Sequence, residues 1–154
     1  MKDIEFFSNN KYIVLPTKSN PKVYLVVDNN KIKSNSFKLY NPFSVKAKIL
    51  KKIIFLFPFF NRLQNKKSEF IKFLENKFQK EFVSSVYMAT DKDKIILQLQ
   101  SDNKVFGYLK IATSVLGQEK IQNEIEAIEL LKDINKIDII DKDVFNGYDF
   151  FLSR

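Results

Sequence analysis

Hydrophobic and polar positions follow two periods along this chain, one of strands and one of helices, that alternate from segment to segment. Residues 11–15 (KYIVL) and 22–27 (KVYLVV) are short β-branched and aromatic runs set around Pro16, Asn20 and Pro21, which predicts two strands and a turn. From residue 45 the spacing is helical. VKAKILKKIIFLF puts Val45, Ile49, Leu50, Ile53 and Leu56 on one side and lysines on the other, with Ser44 as N-cap and Pro58 as the stop. A second helix is expected from Ser68, where Phe70, Phe73, Leu74, Phe78 and Phe82 recur at three-to-four spacing. These two helices would form a basic hairpin.

Beyond Phe82 the period is two. Residues 83–88, 94–100 and 105–112 read as strands joined by short turns at 90–93 and 101–104, hence an antiparallel meander. In ILQLQ the leucines and glutamines alternate, as expected of a strand covered on one side only. QEKIQNEIEAIELLKDI then returns to a helical period through Ile121, Ile125, Ile128 and Leu130 or Leu131. Residues 137–140 and 148–152 are two further strand candidates, split by the turn Asn146-Gly147. The resulting order is β-β-β-α-β-β.

Composition narrows the chemistry. The chain has 154 residues, enough for a single packed domain, and 45% of them are hydrophobic, 16 being Phe, so a core can form. With Cys 0 and His 0, thiolate nucleophiles, Ser-His-Asp triads, imidazole shuttles and Cys/His zinc sites are excluded within the chain. Only 3 Gly leave no GxGxxG or Walker loop. The start, MKDIEFFSNNKYIV, carries acids and asparagines where a secretory signal would be apolar. The longest apolar run, residues 53–60, contains Pro58 and falls far short of the roughly 18–20 residues of a membrane-spanning helix. The expected location is cytoplasmic, or peripheral at the inner face of the membrane.

The net charge of +8 is divided unevenly: residues 1–80 hold 17 Lys+Arg against 5 Asp+Glu, and residues 81–154 hold 9 against 13. No acid falls between Asp28 and Glu69. That stretch attracts phosphates, anionic lipid or nucleic acid. Nucleic acid is the weakest of these, because no recognised binding motif accompanies the charge. Two uses for the first helix are open. Its apolar side can be core, packed on the second helix and the sheet. Alternatively, Lys46, Lys48, Lys51 and Lys52 with the IIFLFPFF run form a surface for an anionic membrane or a partner protein.

Two charged residues outside that helix carry candidate chemistry. Glu124 lies on or beside the stripe of Ile121 and Ile128, where an unpaired carboxylate is costly. Lys110, between Leu109 and Ile111 in a predicted strand, is the cation expected to meet it. A strand lysine held by a helix glutamate is a device for phosphate binding. Asp91, Asp93, Asp141 and Asp143 read as solvated turn acids, since no D-x-[DN]-x-[DN]-G loop surrounds them.

VSSVYMAT, KIILQLQ, VFGYLKIA and NEIEAIELL together resemble the amino-terminal lobe of the aminoglycoside and choline kinase-like phosphotransferases, which have a protein-kinase-like fold. NKYIVLP and KLYNPFSVKAKILKK resemble the leader of kinase-like proteins encoded with bacterial polysaccharide synthesis genes. The resemblance implies that Lys110 contacts nucleotide phosphates and that Glu124, opening an E-x-x-x-[IL]-x-x-L pattern with Ile128 and Leu131, holds it. It implies ATP with Mg as ligand. The turn at 90–93 lacks the glycines of a protein-kinase nucleotide loop. The family's H-G-D catalytic loop and metal-binding aspartate belong to a carboxyl-terminal lobe that this sequence does not contain, so phosphate transfer would require such a lobe to be supplied.

The expected fold is therefore α+β: a five-stranded antiparallel kinase-like amino-lobe sheet with one crossing helix over residues 81–154. A basic extension over 1–80, with a short β-hairpin and the helical hairpin, would precede it and pack with it as one domain. The expected function is nucleotide binding; the alternative is a non-enzymatic adaptor that binds a membrane surface or a partner through residues 45–60.

Overall fold

Alternation along each strand sorts its side chains onto two faces, and in this protein helices cover both. The structure is a computed structural model that describes residues 6–28, 31–32, 35–40, 42, 44–56, 62–88, 92–134 and 136–154. In chain order the elements are β1 (Lys11–Pro16), β2 (Pro21–Asp28), β3 (Lys31–Ile32), α1 (Ser36–Leu39), α2 (Val45–Leu56), β4 (Arg62–Gln64) and α3 (Glu69–Phe78). They continue as β5 (Val83–Met88), β6 (Lys94–Ser101), β7 (Lys104–Ala112), α4 (Val115–Leu130), β8 (Ile139–Phe145) and β9 (Tyr148–Ser153). The strands form one antiparallel sheet in the order β4-β1-β2-β5-β6-β7-β9-β8, with β3 paired to β2.

This corrects the expected fold class. The amino-terminal hairpin does not stand apart from a five-stranded sheet. Val23 pairs with Tyr87 and Tyr24 with Val86, so β2 is spliced onto β5 and the sheet is continuous. The physical reason is that β5 would otherwise present an unpaired edge, and the β-branched, aromatic β2 covers it. Nor do the two basic helices form a hairpin. β4 separates them in sequence, and they lie on opposite faces of the sheet.

The first face is apolar. Phe70, Ile71 and Leu74 of α3 pack with Phe6 and Phe82 on Val86, Leu97, Leu99, Leu109, Ile111, Phe150 and Leu152. Ser68, at the expected start of α3, is its cap and accepts from Ile71 N. Phe82, predicted within the helix, lies beyond its end and reaches the same core.

Among the described residues, the second face carries three helices. Ile54 of α2, with Phe37 and Tyr40 beside it, packs on Ile13, Leu15, Val23, Leu25 and Val27. Ile121 and Ile125 of α4 pack on Ala112 and Phe151 at the other end. Gln98 and Gln100, expected on an open face, are buried under the start of α1. Gln98 Nε2 donates to Asn35 O at 2.9 Å, and Gln100 Nε2 donates to Ser36 Oγ at 3.2 Å and to Gln98 Oε1 at 2.8 Å. Those bonds replace water for polar groups in the interior.

Both tight hairpins follow turn chemistry. Asp102 (φ 52°) and Asn103 (φ 60°) join β6 to β7, and Asn146 (φ 50°) and Gly147 (φ 82°) join β8 to β9, left-handed at both central positions as a two-residue loop on twisted strands requires. β8 extends through residue 145, so Asp141 and Asp143 are strand residues and not turn acids. They face Lys77 of α3, each at 2.6 Å from its ammonium. Burial pushes the Lys77 ammonium down, but the two carboxylates outweigh it and the pKa is raised. The same contact pulls Asp143 down. Of the other predicted turn acids, Asp91 lies outside the described residues, as does part of the IIFLFPFF run.

Candidate functional site

Between the part of the second face under α1 and α2 and the part under α4, strands β6 and β7 present Lys94, Ile96, Tyr108 and Lys110, all half-buried. Their common direction follows from register: Ile96 pairs with Lys110, Gln98 with Tyr108 and Lys94 with Ala112. Lys110 cannot turn to the other face, because Leu109 and Ile111 on either side of it are committed to the apolar core.

Glu124 is delivered by the seating of α4. Ser114 caps the helix, its Oγ accepting from Gly117 N at 3.0 Å and donating to Asp93 Oδ1 at 2.8 Å. Lys120 donates to Asp93 Oδ2 at 2.6 Å. Gly117 lies so close that a Cβ there would overlap the Asp93 carbonyl oxygen. This contact fixes the height of α4 above the start of β6, and Glu124 follows two helical turns later. Ile121 and Ile125, on either side of Glu124 in sequence, hold that face of the helix to the sheet.

Lys110 and Glu124 meet: Lys110 Nζ donates to Glu124 Oε1 in a hydrogen-bonded ion pair. Lys94, which nothing in the sequence separates from the other surface lysines, reaches the second carboxylate oxygen, with Nζ 3.2 Å from Glu124 Oε2. Lys110 Nζ also stands 5.3 Å from the centroid of the Phe151 ring. The side chains of Lys94, Lys110 and Glu124 are 23%, 20% and 27% exposed, so the cluster is partly desolvated yet open to a solute. Burial first, and the neighbouring Lys94 charge second, hold the Lys110 ammonium down to about 8.

Two ammonium groups share one carboxylate, so the cluster carries an unbalanced positive charge. An ammonium has three donors. Those of Lys110 and Lys94 not directed at Glu124 are available to an oxyanion. Glu124 is itself engaged by both lysines, and the described residues contain no group of three acids suited to a metal ion.

Compared with family models, with curated proteins and with solved structures, the chain matches none.

The other predicted site residues belong to a separate feature. Lys46, Lys48 and Lys52 are exposed on α2, over β1 and β2. Lys51 points the other way: its Nζ donates to Tyr40 O at 2.6 Å and Phe37 O at 3.1 Å and anchors α2 to α1. A groove of about 590 Å³ between α4 and the β8–β9 hairpin is lined by Gln118, Gln122, Lys142 and Asp149 among others, and does not include Lys110 or Glu124.

Proposed function

We propose that this protein binds the phosphates of a nucleotide, ATP with Mg, on the sheet face at Lys110. The observation that carries the reading is the excess of cation over anion in a half-buried cluster: Lys110 and Lys94 share Glu124. Glu124 orients the Lys110 ammonium and a phosphate supplies the missing negative charge. The half-buried Ile96 and Tyr108 beside it offer apolar surface for the rest of the nucleotide. The resemblance of VFGYLKIA and NEIEAIELL to kinase-like phosphotransferases points the same way. Binding is proposed for this chain, not transfer, since its sequence carries no H-G-D loop. A cytoplasmic location, where ATP is plentiful, suits a chain with no cysteine.

Calorimetric titration of MgATP into the full chain tests it. Saturable one-site binding is expected, weakened at least tenfold in Lys110→Met, the loss of one charge-assisted phosphate contact of about 1.5–3 kcal/mol. A full chain that shows no saturable binding, or a Lys110→Met variant that binds equally well, overturns the proposal.

A further inference from the structure

Helix α2 faces the protein with one narrow side and turns its longest apolar stripe to solvent. Ile54 is 3% exposed, whereas Val45, Ile49 and Ile53 are 71%, 53% and 45% exposed. Those three follow one another at four-residue spacing and form a single line along the helix. Lys48 and Lys52 border the line on one side and Lys46 on the other, all exposed. Ser44 Oγ accepts from Ala47 N at 3.2 Å, so the stripe is presented on a capped helix. The side toward the protein is fixed by Ile54 and by Lys51, whose Nζ is bonded to the carbonyls of Phe37 and Tyr40.

We propose that α2 docks on an anionic lipid surface, with Val45, Ile49 and Ile53 entering the boundary between headgroups and acyl chains and Lys46, Lys48 and Lys52 against acidic headgroups. Charge selects this occupant. The sequence has no acid between Asp28 and Glu69, and ten Lys and Arg fall there. A second copy of the chain would bring the same lysines against each other across the stripe, which is repulsive. Nucleic acid would use the lysines but not the three apolar side chains between them, since its affinity resides in phosphate contacts. A lipid surface uses both parts. The inference is independent of the nucleotide site, which lies over β6 and β7.

The test is flotation of the full chain with phosphatidylcholine vesicles containing about one-third phosphatidylserine, beside vesicles of phosphatidylcholine alone. Flotation with the anionic vesicles only is expected. Replacing Lys46, Lys48 and Lys52 together by Gln is expected to weaken partitioning about a hundredfold, each lysine contributing about fivefold near such a surface. Ile49→Asn with Ile53→Asn is expected to abolish it while leaving the melting temperature unchanged, because both residues are exposed. The chain has Trp 0, so Ile49→Trp places a sole reporter whose emission should move to shorter wavelength with anionic vesicles. Lys110→Met should float like the parent. No flotation with anionic vesicles, equal flotation with neutral ones, or flotation indifferent to the two Asn substitutions overturns the proposal. So does a concentration-dependent dimer that those substitutions dissolve, which would make a second copy the occupant.

Discussion

The ammonium of Lys110 and the carboxylate of Glu124, 14 residues apart in sequence, meet on the face of the sheet that carries α4, and Lys94 shares the same carboxylate from the neighbouring strand. One arrangement thus sets the protonation, the stability and the proposed ligand chemistry of the cluster.

Nucleotide affinity should depend on pH in a window that a solvated lysine would not show. Lys110 is held down to about 8 in the free protein, and the phosphate contact needs the ammonium form. Affinity should be flat below about 8 and fall by up to tenfold per pH unit above it, because binding that requires the ammonium form must then take up a proton from solvent. Lys110→Arg, charged throughout this range, should lack the fall near 8. Calorimetric titrations between neutral and mildly alkaline pH check both.

The same shift has a consequence for folding. Lys110 titrates near 8 folded and near 10.5 unfolded, so between those values the unfolded chain holds the extra proton and stability rises with pH. Below about 8 both states are protonated and the full penalty of the buried ammonium is present. Urea unfolding of the wild type beside Lys110→Met should show the wild type gaining relative stability from neutral pH toward pH 10.5.

Glu124→Gln removes the carboxylate that, among the described residues, contacts both lysines. The cost should lie between the values for exposed and buried pairs, about 1–2 kcal/mol, since the cluster is half-buried. Lys94→Met in that background should recover part of the loss by removing the repulsion. A double-mutant cycle measured by chemical denaturation reads the coupling.

Gly117→Ala should reverse the usual sign of a glycine-to-alanine change in a helix, which ordinarily stabilises by up to about 1 kcal/mol. Here the new Cβ would overlap the Asp93 carbonyl oxygen, which is backbone and cannot swing aside. A loss of about 1–3 kcal/mol is expected, as for overpacking. Nucleotide affinity should fall with it as α4 lifts Glu124 away from Lys110.

Helix α2 should show very unequal responses at adjacent apolar positions. Ile54→Ala should cost about 2–4 kcal/mol and Ile53→Ala at most about 0.5, because only Ile54 is buried. Thermal or denaturant unfolding of the two variants separates them.

How much of this was legible in the sequence depended on how local the signal was. Ser44 announced its cap, Ser68 the start of α3 and Asn146-Gly147 its turn, because those signals act over a few residues. The Lys110–Glu124 contact was legible because Leu109 and Ile111 fixed which way the strand faced and Ile121 fixed the helix. The splice of β2 to β5 was not, since it rests on two pairs between residues more than sixty positions apart, and neither strand encodes its partner. α1 spans 4 residues, too few for any period to register. Gln98 and Gln100 read as an open face because the polar atoms that bury them, Ser36 Oγ and Asn35 O, lie in a distant segment. In α2 the periodicity grouped Val45, Ile49, Leu50, Ile53 and Leu56 as the apolar side, but the sheet accepts Ile54, outside that group, and leaves Val45, Ile49, Leu50 and Ile53 exposed. Lys94 carried no signal of its own.

Lysine-selective nuclear magnetic resonance of the full chain, with the Lys110 side chain assigned by its loss in Lys110→Arg, is the most direct measurement. Its resonance should titrate near 8 in the free protein, shift on addition of MgATP, and titrate at higher pH in the saturated complex. A Lys110 signal that titrates like the other lysines and does not respond to millimolar nucleotide would show a plain structural ion pair in place of a phosphate site.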